Sequence, residues 1–154
     1  MSERQVDVRM VEGIMYGVYK ALHDTAGSGA PAIMRKAAPD ILEELNKLGV
    51  DFSCVDNIDK LESKLGETVV NTGLADKMSF KLDGDTLHAD IENCAFYGLT
   101  SALKEDGIEP FGCPFAALTI ALAEKNLGKR GRLKKLEPRG DGEGNTVLEV
   151  ELHD

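Results

Sequence analysis

The stretch Lys77-Met78-Ser79-Phe80-Lys81-Leu82-Asp83-Gly84-Asp85-Thr86-Leu87-His88-Ala89-Asp90-Ile91-Glu92 decides the fold. Met78, Phe80 and Leu82 alternate with Lys77, Ser79 and Lys81, and after Asp83-Gly84-Asp85 the residues Leu87, Ala89 and Ile91 alternate with His88, Asp90 and Glu92. A period of two puts apolar side chains on one face of a strand and polar ones on the other. Two such runs joined by a short Gly-containing turn make an antiparallel hairpin with one buried and one wet face.

Towards the C-terminus, a short helix is predicted across residues 95–106 and a loop across 107–112. Pro114 then suits the first turn of a helix, with Cys113 near the cap, Phe115, Leu118 and Leu122 on its apolar face and Gly128 at its end. Two further strands, near residues 132–137 and 146–152, flank the loop Gly140-Asp141-Gly142-Glu143-Gly144. Leu148, Val150 and Leu152 supply the buried face of the last one.

Towards the N-terminus the period lengthens. Val8, Val11, Met15, Val18 and Leu22 recur at three and four and predict a helix capped by Asp7 and ended by Ala26-Gly27-Ser28-Gly29-Ala30. A second helix opens at Pro31 with Ile33, Ala37, Ile41, Leu45 and Leu48 as its stripe, kinks or restarts at Pro39, and stops at Gly49. A third follows Asp56, with Ile58, Leu61, Leu65 and Val69 inward, weakened by Gly66 and Gly73. Hairpins impose antiparallel pairing, so the expected fold is α+β: N-terminal helices on a four-stranded antiparallel sheet made of two hairpins with a helix pair between them. Residues 1–154 form one domain.

Composition narrows the function. A net charge of −9 repels nucleic-acid phosphates and anionic membrane surfaces. No apolar run reaches the length of a membrane span, and the first residues have no apolar signal core, which points to the cytoplasm. Three cysteines, Cys54, Cys94 and Cys113, with no two close in sequence, are neither a disulfide framework nor a C-x-x-C metal motif. His88 and Cys94 would sit roughly 20 Å apart on a straight strand, too far to share one metal. There is no nucleophile elbow, and Gly27-Ser28-Gly29 lacks the strand and the GK[ST] ending of a phosphate loop.

One region stands out. Phe96, Tyr97, Phe111 and Phe115 are four of the eight aromatic residues, and they are interleaved with Gly98, Gly107, Gly112, Cys94 and Cys113. Ring walls, small residues and a few polar handles are what an apolar pocket needs, although the same rings could simply fill the core between helix and sheet. The basic run Lys129, Arg130, Arg132, Lys134, Lys135 and Arg139 could take an anion, an RNA backbone or an acidic partner. It lacks aromatic interleaving and reads better as a solvated strand edge. On the first helix, Met10, Ile14 and Tyr19 fall outside the main stripe, which widens the apolar surface in the manner of a homodimer face.

Ile91-Glu92-Asn93-Cys94 after the hairpin, Glu109-Pro110-Phe111-Gly112-Cys113-Pro114-Phe115 opening a helix, and a closing hairpin together resemble the V4R (4-vinyl reductase-like) hydrocarbon-binding domains, relatives in fold of haem-NO-binding and TRAPP-type domains. The resemblance runs from about Val8 to Leu152. It implies a small α+β domain, often dimeric, enclosing a pocket for a small apolar ligand. Some relatives bind zinc through a late cysteine pair. The matching stretch here, Leu136 to Thr146, has no cysteine, and the Tyr-Ser-Arg motif of the haem branch is missing.

The sequence therefore predicts a non-enzymatic domain that binds a small apolar ligand through Cys94, Phe96, Tyr97, Phe111, Cys113 and Phe115, with no metal or cofactor, no nucleic-acid partner, and a homodimeric state. A metal- or thiol-dependent enzyme using Cys94 and Cys113, and a dimeric adaptor, are the alternatives.

Overall fold

The computed structural model describes residues 5–108 and 113–154. The element order is helices, hairpin, helix pair, hairpin: α1 (Val8–Ala26), α2 (Ala30–Lys47), α3 (Ile58–Leu61), a π-helical turn (Glu62–Gly66), α4 (Glu67–Asn71), β1 (Lys77–Asp83), β2 (Thr86–Glu92), α5 (Tyr97–Glu105), α6 (Pro114–Asn126), β3 (Arg130–Pro138) and β4 (Thr146–His153). The strands form one sheet in the order β1-β2-β4-β3 with every pairing antiparallel, which is the expected α+β class. Among the described residues no helix is long and apolar enough to cross a membrane.

The first hairpin has the register that its alternation dictates, Met78 opposite Ile91 and Phe80 opposite Ala89. Leu87, Ala89, Ile91, Leu148 and Val150 are buried beneath the helices. Leu82 departs from the expected pattern and is exposed, at the turn end of β1, an edge strand. The other sheet face stays wet. It carries ion pairs such as His88 Nδ1 with Glu149 Oε1 at 3.3 Å and Arg139 Nη1 with Asp90 Oδ1 at 3.2 Å.

α5 and α6 lie on the sheet, α1 packs on α5, α2 packs on α6, and the α3–α4 segment covers β1. Gly66 is required where that segment meets the strand, since a Cβ there would stand 2.7 Å from the Met78 carbonyl oxygen. Three helical stripes differ from the periodicity reading. α1 is capped by Asp7 as expected, its carboxylate accepting from the Arg9 N–H at 3.0 Å. However, α1 turns Val11, Met15, Tyr19 and Leu22 inward and leaves Val8 and Val18 exposed. α2 runs through Pro39 without a break and buries Ala30, Ala38 and Leu42, while Ile33 and Leu48 face out. The small alanines are what let α2 lie close against α6. α6 is buried on nearly all sides, including Ala116, Ala117, Thr119 and Ile120, because it is sandwiched between α2 and the sheet; Leu118 is only half-buried.

Candidate functional site

Cys94 follows β2 and Cys113 caps α6, so the chain brings both cysteines into the core below α1. The Cys94 N–H donates to the Gly144 carbonyl at 2.7 Å, and the Tyr97 N–H donates to the Cys94 carbonyl at 3.1 Å, fixing the turn from strand into α5. Both thiols are free and buried. Burial pushes the Cys94 thiol up to about 12, and the neighbouring Cys113 adds to the shift. Burial also raises Cys113, against the pull of the Ala116 and Phe115 N–H groups at the start of α6. Thiols held in this way stay protonated at neutral pH and are weak nucleophiles.

Phe96 and Phe115 meet edge to face, with centroids 5.4 Å apart at 66°, the geometry that aromatic quadrupoles favour. Tyr97 is half-buried, and Phe111 lies outside the described residues. α1 adds Tyr19, whose buried phenol is pushed up to about 12 by desolvation and then by Cys113. The expectation that Tyr19 belongs to an outward face is corrected here: it turns into the core. Thr146 sits opposite Ile91 on the same sheet end as Cys94, and its buried hydroxyl has no hydrogen-bond partner among the described residues.

α1 is clamped onto α5. The Glu12 carboxylate accepts from the Leu99 N–H at 3.1 Å, in the first turn of α5, and the Tyr16 hydroxyl donates to Asp106 just past its end. That hydrogen bond raises the Tyr16 phenol.

A cleft of about 310 Å³ opens elsewhere, between the start of α2, the outer side of α6 and β3. Ala32, Met34, Ala117, Ile120 and Leu133 give it apolar walls, and Ser28, Arg35 and Arg132 add polar groups. Arg35 Nε donates to Glu124 Oε1 at 2.8 Å and Arg132 Nη2 to Glu151 Oε2 at 2.6 Å. Each guanidinium is thereby held in place with N–H donors to spare. Of the residues expected from sequence, none of the five that are described, Cys94, Phe96, Tyr97, Cys113 and Phe115, is among the lining residues. The signal that could have located the cleft is the pair of small residues Ala116-Ala117 facing a helix start, which leaves a void where larger side chains would close it.

The basic run is answered largely by acidic neighbours: Arg132 by Glu151, Lys135 by Glu137 at 3.0 Å, Arg139 by Asp141 at 2.8 Å, and Lys129 by Asp154. Asp85, Glu151 and His153 bring ligand atoms within 4.8 Å of one another, a grouping able to hold a divalent cation. Arg132 already occupies Glu151 and would have to release it.

Residues 10–151 match the family model described as "Putative rubredoxin C-terminal domain". The chain is 32% identical over 71 residues to a protein named putative rubredoxin from Methanothermobacter thermautotrophicus, an overlap of 46% of this chain and 38% of that protein. It is 25% identical over 119 residues to an uncharacterized protein of Methanocaldococcus jannaschii, covering 77% of this chain and 72% of that one. The matched part is thus well under two thirds of the rubredoxin-named relative. Iron centres built on cysteine thiolates take four of them. This chain has three cysteines and no C-x-x-C pair, and Cys54 is exposed while the other two are buried. Its residues do not fit such a centre.

Proposed function

This chain belongs to the "Putative rubredoxin C-terminal domain" family, and from that premise we propose that it is a non-enzymatic domain that binds a small apolar molecule, as the V4R resemblance implies, and not itself an iron carrier. The observation that carries this reading is the cleft between α2, α6 and β3, whose volume of about 310 Å³ and apolar walls with a few fixed polar groups match small-molecule sites. The state of the thiols supports binding over thiol chemistry, since burial holds both Cys94 and Cys113 in the protonated form. Free buried thiols also suit a reducing, cytoplasmic setting.

A second position for the ligand is the thiol–aromatic core itself, formed by Cys94, Phe96, Tyr97, Cys113 and Phe115 with the masked-from-water hydroxyl of Thr146 as its polar handle. We favour the cleft because Phe96 and Phe115 already fill part of that core with each other. Titration with an apolar solvatochromic dye such as Nile red tests the reading. Saturable binding of one dye per chain, weakened at least tenfold by Ala32→Trp, is the expected result. Ala32 is exposed at the mouth, so that change narrows the cleft without entering the core. Absence of saturable binding would remove the proposal, and binding unchanged by Ala32→Trp would move the ligand to the thiol–aromatic core.

A further inference from the structure

Two charged side chains are among the described residues that line the cleft between α2, α6 and β3, and both are arginines: Arg35 from α2 and Arg132 from β3. No acidic residue is among them. The chain as a whole has 27 acidic residues against 18 basic ones, so a purely cationic lining runs against the rest of the molecule. The overall charge repels anions. The cleft is a place where one is attracted.

The carboxylates that answer these arginines are not part of the lining. Glu124 of α6 holds Arg35, and Glu151 of β4 holds Arg132. Each ion pair is therefore a dipole whose positive end lines the cleft and whose negative end does not. Arg35 engages Glu124 through Nε and Nη2, and Arg132 engages Glu151 through Nη2 alone. Arg35 Nη1 and Arg132 Nε and Nη1 have no partner among the described residues. The two side chains are 49% and 71% exposed, so these donors are open to a solute. A guanidinium stays charged throughout the working pH range, and its fork of N–H groups matches the two oxygens of a carboxylate.

We propose that the cleft takes a small amphiphilic monocarboxylate, its carboxylate on Arg35 and Arg132 and its hydrocarbon body against Ala117, Ile120 and Leu133. This rests on the cleft being the ligand site, and it adds the headgroup that a purely apolar ligand lacks. The volume of about 310 Å³ is at the low end of small-molecule pockets, which fits a body of medium-chain or single-ring size. A carboxylate loses far more hydration than a hydroxyl on entering apolar surroundings. A cleft without cations therefore prefers a neutral alcohol of the same chain length, and a reversal of that order reports the guanidiniums directly.

Isothermal titration calorimetry of the full chain with sodium octanoate and with octanol, at neutral pH, tests the assignment. The expected result is one octanoate per chain, bound at least tenfold more tightly than octanol. Arg35→Gln and Arg132→Gln should each abolish that preference while leaving octanol affinity within about twofold. Ala32→Trp should weaken both ligands. The two ion pairs are exposed at their arginine ends, so neither arginine variant should change the far-UV circular dichroism. Octanol binding as tightly as octanoate to the wild type would overturn the headgroup assignment while leaving the apolar cleft in place. A preference for octanoate that survives both arginine substitutions would overturn it as well. Binding of neither compound, with no saturable binding of Nile red, would remove the cleft as a ligand site and this proposal with it.

Discussion

The carboxylate of Glu12 in α1 accepts a hydrogen bond from the Leu99 N–H in the first turn of α5, 3.1 Å away, and so caps a helix 87 positions further along the chain. Phe96, at the local cap position, makes no side-chain capping bond, so the cap is supplied through space. Gly98 makes room for it, because a Cβ there would come within 2.9 Å of Glu12 Oε1. Glu12→Ala should therefore cost about 1 kcal/mol, the usual worth of a helix cap. Gly98→Ala in the wild-type background should cost a similar amount less the helix-propensity gain. In the Glu12→Ala background the same change should instead stabilise, by about 0.5–1 kcal/mol. Urea denaturation of the four proteins as a double-mutant cycle measures the coupling.

Gly66 fits against β1 without room for a methyl group. Its neighbour is the Met78 carbonyl, a backbone atom that cannot swing aside. Gly66→Ala should lower stability by about 2–3 kcal/mol, in the range of overpacked cores. Thermal unfolding would show a drop of several degrees, in contrast to Gly13→Ala, where the space is open.

Alkaline pH should unfold the chain through Cys94, Cys113 and Tyr19. Their folded-state pKa values are raised, Cys94 and Tyr19 to about 12. For such groups the unfolded chain loses protons first. The stabilisation is fully present below the unfolded values, near 9 for the thiols and 10 for the phenol, and is lost as pH climbs towards 12. Each titrating group removes up to about 1.4 kcal/mol per pH unit in that window. The urea midpoint should hold steady up to pH 8 and fall between pH 9 and 11, and Cys94→Ala should flatten that fall.

Ellman's reagent should find one fast thiol in the native protein, the exposed Cys54, and three after denaturation. Two or three fast native thiols would favour the thiol-enzyme alternative.

The β-hairpin was legible because its alternation is strict and its turn short, and β4 was legible for the same reason. Asp7 at the cap of α1 was legible because capping is local chemistry, and Cys113 at the start of α6 because Pro114 marks a first helical turn. The helix faces were less so. Periodicity finds an apolar stripe but does not tell a core-facing one from a second, outward one, and α1 carries both, which is why Tyr19 and Val18 exchanged places relative to the reading. α2 was misread for a different reason: helix contact selected the small Ala38 over the larger Ile33. The Cys94–Phe115 grouping could be read from the clustering of aromatics. The α2–α6–β3 cleft could not, because residues 28–35, 116–120 and 131–133 meet only in the folded chain.

Ligand binding in the α2–α6–β3 cleft is tested by a methyl and amide NMR titration of the full chain with a small apolar ligand such as Nile red. A ligand in the cleft gives saturable shifts centred on Ala32, Ala117, Ile120 and Leu133, with Arg35 and Arg132 moving beside them. Shifts centred on Cys94, Phe96 and Cys113, or none that saturate, would contradict it.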